Sequence, residues 1–279
     1  MNLLNKFMNL DRRWIYLITA ICVIVPFIVP IGLPTYTTPP VKNLYEKIDR
    51  TSDGQAVLLS LDFDASVLPE LYPMAITILN HCFCENIKVI IMSLYMQGVG
   101  IAQVALEEAK RKFPDKKEGV DYTFLPFVPG GSIVVLGIGE DIHKTFPTDY
   151  YGTSIDSLPM MKEIRNFDQI SLAMSLSGAA VAVTWVVYAN QKYGANVGAG
   201  VTAVMAAENY PYLQTGQFIG MLGGLKGAAE YENLVEQNLK LKTRKTASIG
   251  MDAQSAVHIM MIIFIVLGNI AFFASRRRK

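Results

Sequence analysis

The chain has 279 residues, of which 51% are hydrophobic and 18% are charged, and its formal net charge is +1. The charged share lies below the usual value of about 25%. A net charge this close to zero argues against a polyanion-binding protein, so we expect no nucleic acid among the partners. Three cysteines are too few for a disulfide framework.

Two long apolar segments lie at the ends of the chain. Residues 14–33 contain no Asp, Glu, Lys or Arg, and neither do residues 256–274, which precede a basic tail. Each matches the roughly 20 apolar residues that a helix needs to cross a bilayer. A cleaved secretory signal is the alternative for the first segment, but its apolar stretch is usually shorter. We therefore predict two transmembrane helices, with the lipid bilayer as a partner.

Positive charges next to these segments predict their orientation. Arg12 and Arg13 precede the first span, and four basic residues end the chain after the second. Because basic residues favour the cytoplasmic side, both termini are predicted to be cytoplasmic and the central domain extracytoplasmic. The predicted organisation is a cytoplasmic tail (1–13), a span (14–33), a Pro/Thr tether that continues into a short helix (34–54), an α/β domain (55–239), a basic juxtamembrane linker (240–255), a span (256–274) and a cytoplasmic tail (275–279).

Between the predicted spans, apolar strand-like runs alternate with helix-length segments. The predicted strands cover 56–63, 87–94, 122–127, 170–176 and 197–206, while 132–138 is either a strand or the start of a helix. Such alternation is typical of a parallel sheet covered by helices on both faces. We predict a three-layer α/β domain with a mostly parallel, doubly wound (Rossmann-like) sheet. Ligands of such sheets bind beyond the carboxyl ends of the strands, here at loops 62–69, 94–100, 128–132 and 207–211.

One further apolar stretch, residues 170–189, is long enough to be a third span. A cluster of serines between Ser171 and Ser177, followed by Gly178, interrupts it in a turn-like manner. We therefore favour a buried strand followed by a buried helix. An odd number of spans would also place the two basic tails on opposite sides of the membrane, against their charge.

The strongest candidate site is the pair Asp62 and Asp64 at the end of the first predicted strand. A strand that ends in Asp-x-Asp and precedes a helix resembles the first motif of the haloacid-dehalogenase superfamily. That resemblance implies a phosphoryl-accepting nucleophile at Asp62, a general acid/base at Asp64, and Mg²⁺ held by both. Ser93 fits the second motif loosely, whereas no lysine stands in a clear third-motif setting. The alternatives are binding of a ligand or cation, and a structural role at the next turn or helix N-terminus.

Two glycine-containing segments could also bind ligands. Gly98 and Gly100 follow a strand and open a helix, as in a dinucleotide-binding fingerprint, but Gln103 replaces the third glycine. These glycines could instead allow a tight turn or expose amides to an anion. Gly130, Gly131 and Ser132 form either a turn or an anion-binding nest.

Metal ligation has weak support in the sequence. Cys82 and Cys84 are two residues apart on a predicted helix and point to different faces, and no second Cys/His cluster is present. We predict no firm metal site and no firm cofactor; Mg²⁺ enters only with the phosphohydrolase alternative.

Glycines recur in the last predicted helix of the domain, which should run from about Pro211 to Asn238. They are Gly216, Gly220, Gly223, Gly224 and Gly227. Each glycine inside a helix costs about 1 kcal/mol relative to alanine, so we expect close backbone approach to compensate. The contact is either internal packing on the sheet or a helix–helix contact between protomers; a glycine-rich loop is the third possibility.

These features favour a membrane-anchored extracytoplasmic α/β module that binds a partner or ligand, or acts as a scaffold. Such a module would be a subunit of an envelope membrane assembly, either as a homo-oligomer or with other membrane proteins. The alternative is a membrane-tethered, Mg²⁺-dependent phosphohydrolase that uses Asp62 and Asp64.

Overall fold

The computed structural model describes residues 11–241 and 245–276, and the chain forms two compact units. One unit combines the segment up to Pro34 with the segment from Ser248, and the other spans Thr35–Ala247. The predicted tails 1–13 and 275–279 fall largely outside the described residues, as does part of the predicted linker at 242–244.

The larger unit is built on one sheet of six parallel strands. They are β1 (Ala56–Asp62), β2 (Lys88–Met92), β3 (Tyr122–Phe124), β4 (Ile170–Ser177), β5 (Val197–Val201) and β6 (Phe218–Gly223). The strand order is β3-β2-β1-β4-β5-β6, and every neighbouring pair is parallel. The order reverses between β1 and β4, which is the arrangement of a Rossmann-like, doubly wound sheet. The predicted α/β fold is therefore confirmed.

Helices cover both faces of this sheet. In chain order the helices are α1 (Arg12–Ile28), α2 (Pro39–Asp49), α3 (Leu68–Cys84), α4 (Met96–Lys112), α5 (Ser132–Thr145), α6 (Val181–Trp185, continued by a π-helical turn Val186–Asn190 and by Gln191–Tyr193), α7 (Ala203–Gln214), α8 (Gly224–Leu239) and α9 (Thr246–Arg276). Helices α2, α3, α4 and α8 cover one face. Helices α5, α6 and α7 cover the other and enclose a large apolar core around Trp185.

The prediction of a single helix from about Pro211 to Asn238 is wrong. Residues 218–223 form β6, and the five glycines lie in a helix–turn–strand–helix sequence. Gly216 and Gly224 have positive φ values of 75° and 59°, which suits the turn before β6 and the junction after it. Gly220 and Gly223 lie in β6, and Gly227 lies in the first turn of α8. The four-residue glycine spacing therefore reflects turns and close packing, not one continuous helix face.

Close backbone approach is nevertheless real at Gly220. A Cβ there would collide with the carbonyl oxygen of Pro40 and with Leu44, both in α2. In the neighbouring strand, a Cβ on Gly198, the register partner of Gly220, would also meet Leu44. Glycine at these positions lets α2 pack directly on the sheet.

Several predicted boundaries also need correction. Segment 34–54 contains α2, the short helix predicted to follow the Pro/Thr stretch. Segment 240–255 is not a linker throughout, because α9 begins at Thr246. The predicted strand 197–206 ends at Val201, and residues 203–206 together with the predicted loop 207–211 lie inside α7. Residues 132–138 begin α5, which is the second of the two predicted alternatives. Helices α7 and α9 thus begin earlier than the hydrophobic pattern predicted, at Ala203 and Thr246.

The segment 170–189 forms a strand followed by a helix, as predicted. The reason given for that prediction was wrong, since Ser171, Ser175 and Ser177 lie within β4 and are buried rather than in a turn. Trp185 in α6 is fully buried in the α/β unit.

The smaller unit is made of largely apolar segments, most of which are helical. Among the described residues, one helix is long and apolar enough to cross a membrane, over Thr246–Ala274. The first predicted span forms α1, which ends at Ile28 and is followed by irregular chain. Thr19 in α1 contacts Met260, and Asp252 accepts hydrogen bonds from the N–H groups of Gly32 and Leu33. Because lower residue numbers in the first segment meet higher numbers in α9, the two segments run antiparallel.

Candidate functional site

A small cavity lies at the carboxyl edge of the sheet, at the point where the strand order reverses. Its volume is about 130 Å³. The lining comes from the loop after β1, the loop after β2 and the loop after β4: Asp62, Phe63, Asp64, Ser66, Val67, Tyr95, Gly178, Ala179 and Val181. This is the position at which open α/β sheets usually bind ligands, but the volume is below the roughly 300 Å³ of typical small-molecule sites.

Asp62, the last residue of β1, is held by donors inside the fold. Its Oδ1 accepts hydrogen bonds from the Ser60 hydroxyl (2.7 Å) and the Leu94 N–H (2.7 Å). Its Oδ2 accepts from the Ser175 hydroxyl at 3.0 Å. The side chains of Ser60 and Asp62 alternate with those of Leu59 and Leu61, so they share the face of the sheet that α6 covers. The carboxyl group thus joins β1, β4 and the start of the loop after β2.

Burial dominates the electrostatics of Asp62. The residue is 2% exposed, and burial raises its pKa above the ordinary value, while the bonds from Ser60, Leu94 and Ser175 act in the opposite direction. The indole N–H of the buried Trp185 lies near the same carboxyl group without meeting hydrogen-bond geometry. A nucleophile must reach its substrate, and a Mg²⁺ ligand must turn a lone pair toward the ion. Asp62 uses both oxygens internally, so its geometry fits a structural role.

Asp64 has a different environment from Asp62. Its Oδ1 accepts hydrogen bonds from the Ser66 hydroxyl (2.6 Å) and the Ser66 N–H (2.8 Å), and it caps the short 3₁₀ turn Ala65–Val67. These bonds hold the pKa of Asp64 below its ordinary value. The two carboxyl groups of the predicted pair therefore have separate hydrogen-bond partners, although both residues line the same cavity.

Ser93 and Gly98 lie next to Asp62 but outside the cavity lining. The Ser93 hydroxyl is 2.6 Å from the carbonyl oxygen of Leu61 and 2.7 Å from that of Tyr95, and ties the end of β2 to β1. A Cβ on Gly98 would collide with Ser93 Oγ and with the Leu61 carbonyl oxygen. Helix α4 begins at Met96, so Gly98 is needed for the close packing of its first turn against β1.

The remaining candidate residues are dispersed. Gly130 and Gly131 have positive φ values of 131° and 47° and form the turn before Ser132, the first residue of α5. This geometry fits the predicted turn, and none of the three lines the cavity beside Asp62. Gly100 lies in α4 and lines a separate groove.

The partners of Asp62 were missed at the sequence level. Ser60 and Ser175 are isolated polar residues within apolar strands, and a buried hydroxyl usually needs a hydrogen-bond partner. These isolated hydroxyl residues were the feature of the sequence that pointed to a buried hydrogen-bond network. They could not show which strands are neighbours in the sheet, and so could not identify Asp62 as the partner. No group of three or more His, Cys, Asp or Glu residues suited to a metal ion occurs in the part of the chain that the structure describes.

The larger concavity of the α/β unit is apolar and lies between α3 and α4. Its volume is about 720 Å³, which is within the usual range of about 300–1,000 Å³ for small-molecule sites. Apolar side chains form most of its surface, including Leu68, Pro69, Pro73, Ile101 and Val104.

The chain matches no protein-family model, no curated protein and no solved structure.

Proposed function

We propose that this chain is a membrane-anchored, extracytoplasmic α/β module that binds a partner or ligand and serves as a subunit of a larger membrane assembly. The observation that carries this proposal is that both side-chain oxygens of Asp62 accept hydrogen bonds from groups of the fold itself. At the usual ligand-binding edge of the sheet, the best candidate for chemistry is 2% exposed and bound by Ser60, Leu94 and Ser175. This arrangement supports a fold-stabilising carboxyl group and favours binding over hydrolysis.

The chain ends of the α/β unit support anchoring at both ends. Glu230 in α8 is buried and accepts hydrogen bonds from the N–H (2.7 Å) and hydroxyl (2.6 Å) of Thr38, the residue that precedes α2. Glu232, two residues further along α8, accepts from the N–H of Ala247 at 3.0 Å. The segments that enter and leave this unit are thus fixed close together on one helix, as two membrane linkers should be.

The smaller unit supports a two-pass topology with both termini on one side. Its two segments run antiparallel, with Asp252 bound to the backbone of Gly32 and Leu33. Backbone N–H groups need acceptors in an apolar environment such as a bilayer, and Asp252 supplies them where α1 has ended. Together with the basic residues at both ends of the chain, this arrangement favours cytoplasmic termini.

Enzyme assays with two variants distinguish the proposal from the phosphohydrolase alternative. The full chain in detergent is assayed for Mg²⁺-dependent hydrolysis of a general phosphomonoester, beside Asp62→Asn and Asp64→Asn. We expect no activity above a no-protein blank. We also expect Asp62→Asn to lower the free energy of unfolding by about 1–3 kcal/mol because a buried hydrogen-bonded group is altered. Metal-dependent turnover that either substitution abolishes would overturn the proposal.

Topology is tested in cells with a membrane-impermeant maleimide. Lys117→Cys places a thiol at an exposed position of the α/β unit, and the unsubstituted chain gives the background from its own cysteines. We expect labelling of Lys117→Cys in intact cells, and labelling of a cysteine added after Lys279 only after lysis. The reverse pattern would exclude an extracytoplasmic domain.

Assembly is tested by the particle mass of the chain in lipid nanodiscs. A lone monomer without co-purifying membrane proteins would count against the subunit role.

A further inference from the structure

Helices α6 and α7 form the walls of another groove of the α/β unit, on the opposite face of the sheet from α3 and α4. The volume of this α6–α7 groove is about 460 Å³, which lies within the usual range of about 300–1,000 Å³ for small-molecule sites. The two helices directly follow β4 and β5. One end of the groove therefore lies near the carboxyl edge of the sheet, where open α/β sheets bind ligands.

The α6–α7 groove has an apolar half and a more polar half. Ala180, Val183 and Met205, at the starts of the two helices, line the half nearest the carboxyl edge. Further along both helices the lining contains a carboxylate, an amide and two tyrosine rings. From Met205 to Tyr212 the groove follows α7 for about 10 Å, at 1.5 Å per residue. Its shape therefore suits a short molecule with an apolar end and a polar end.

Asn209 gives the polar half a buried hydrogen-bond acceptor. The residue is 1% exposed, and its Nδ2 donates to the carbonyl oxygen of Met205 at 2.8 Å. Because a carbonyl oxygen only accepts, this bond fixes the orientation of the amide. The amide oxygen, Oδ1, has no hydrogen-bond partner among the residues that the structure describes. Buried polar atoms usually have a partner. A ligand N–H group can supply it once the flexible side chain of Met205, which lines the groove, moves aside.

The other polar groups of the groove favour a positively charged ligand. Glu208 is exposed, and in the described part of the chain no Lys, Arg or His lines the groove with it. Tyr188 and Tyr212 add two aromatic rings, and the faces of such rings attract a cation within about 6 Å. Tyr212 also lies in the last turn of α7, where the negative end of the helix dipole favours positive charge. Together these groups provide the recognition chemistry of an ammonium ion.

A π-helical turn shapes the α6 wall of the polar half. The turn covers Val186–Asn190 and carries Val187 and Tyr188 of the groove lining. Such a turn replaces the i→i−4 hydrogen bonds of an α-helix with wider i→i−5 bonds, and it is rare outside functional sites. The positions of Val187 and Tyr188 on this wall therefore differ from those in a regular helix.

We propose that the α6–α7 groove binds a primary aliphatic amine in its ammonium form. The ammonium group lies between the carboxylate of Glu208 and the rings of Tyr188 and Tyr212, and one of its N–H groups donates to Asn209 Oδ1. The alkyl chain lies in the apolar half of the groove, where its burial adds affinity. This inference rests on the proposed function, because it names the ligand class of the proposed binding module.

Binding is measured by NMR of the full chain in detergent micelles, with isotope-labelled methionine methyl groups. Met205 lines the groove, and Met205→Leu identifies its signal. We expect n-pentylammonium to shift this signal until the site is saturated. Glu208→Gln should weaken binding about fivefold, the effect of about 1 kcal/mol of lost attraction. Glu163→Gln, at an exposed position outside the groove, is the matched control and should leave the affinity unchanged. Partitioning of the amine into micelles affects wild type and variants equally.

Two analogues separate charge from hydrogen bonding in the wild-type chain. n-Pentyltrimethylammonium keeps the charge but has no N–H group, so it should bind about fivefold more weakly because Asn209 Oδ1 stays unpaired. 1-Pentanol has no charge and should also bind about fivefold more weakly. Equal affinity of the trimethylammonium ion would overturn the assignment to a primary amine, and equal affinity of the alcohol would overturn the assignment to a cation. In Asn209→Leu, with unchanged circular dichroism, the preference for the primary amine should disappear; a preference that persists would show that Oδ1 is not the acceptor.

Other outcomes contradict the groove itself. Shifts confined to the methionines of α9, which are Met251, Met260 and Met261, would show that the amine only enters the detergent around that helix. A saturable shift of Met205 that is equally strong in Glu208→Gln would place the ammonium group elsewhere. The maleimide topology experiment and the phosphomonoester assay do not depend on amine binding, so a failed groove and a failed proposed function are distinguishable.

Discussion

His81 is predicted to make the α/β unit less stable in acid. Its side chain is fully buried in α3, stacks on the Tyr45 ring with centroids 4.5 Å apart, and places Nδ1 2.7 Å from the Tyr231 hydroxyl. Its Nε2 has no hydrogen-bond partner and lies 3.9 Å from a carboxylate oxygen of Asp49. Burial lowers the pKa of His81 from 6.5 to about 4, since the charged imidazolium loses its hydration.

The magnitude follows from the difference between the folded and unfolded pKa values. Each pKa unit corresponds to about 1.36 kcal/mol, so a difference of about 2.5 amounts to about 3 kcal/mol. Because the folded pKa is the lower one, the unfolded chain binds the proton first as the pH falls. Above about pH 6.5 the histidine is neutral in both the folded and the unfolded chain, so its protonation costs no stability there. Stability is then lost between about pH 6.5 and pH 4, and no more is lost below that range.

The assay is chemical denaturation of the full chain in detergent at several pH values, followed by fluorescence of the buried Trp185. His81→Gln removes the titrating group, so the difference in unfolding free energy between wild type and variant isolates its contribution. From pH 7 to pH 4, this difference should shift by about 3 kcal/mol against the wild type. Tyr231→Phe is the matched control: it removes the hydroxyl beside Nδ1, costs about 1 kcal/mol, and should leave the pH dependence in place.

A constant difference between wild type and His81→Gln across pH 4 to 7 would refute the reasoning. Such a result would mean that the imidazole is hydrated or paired in its charged form, so that burial does not penalise protonation.

Three further predictions concern other parts of the same unit. Gly220→Ala should lower the free energy of unfolding by about 1–3 kcal/mol because the added methyl group collides with α2. Gly100→Ala should leave that free energy unchanged or raise it by up to about 1 kcal/mol. Equal denaturation midpoints for the two variants would contradict the packing argument. Burial, with the charge of Asp149 adding to it, raises the pKa of Glu118 from 4.5 to about 7, so stability should fall as the pH rises through that interval. Relative to Glu118→Gln, we expect a loss of about 2 kcal/mol after solvent screening, and a difference that does not vary between pH 5 and 8 would rule it out. Glu230→Gln should cost about 1–3 kcal/mol because it weakens the acceptor for Thr38, and hydrogen exchange should speed up at the start of α2; unchanged exchange there would show that Glu230 is not the anchor.

Local pattern was sufficient for the class of fold. The apolar runs that became β1, β2 and β4 are buried on both faces, and each is followed by a helix-length segment, so a parallel, doubly wound sheet follows from the sequence. The same reasoning located the carboxyl edge of the sheet and placed Asp62 at it. Apolar length and composition likewise indicated α9 as a helix able to cross a bilayer, because both are properties of a continuous stretch of chain.

Local pattern failed where residue identity had more than one explanation. Glycines between Gly216 and Gly227 matched a helix with a smooth face, but β6 interrupts it. The spacing alone could not show that Gly220 faces α2, which lies about 180 residues earlier in the chain. Glycine is needed at this position only because α2 packs against the sheet there.

The chemistry of Asp62 was decided entirely by tertiary structure. An acid at the end of a strand becomes a nucleophile, a metal ligand or a buried acceptor according to the donors around it. One of those donors, Ser175, lies 113 residues away and reaches Asp62 only because β4 pairs with β1. Strand order is set by the packing of all the layers together, so no short stretch of sequence contains it. The amino-acid sequence therefore determined where the acid lies, and the assembled sheet determined that its oxygens are occupied.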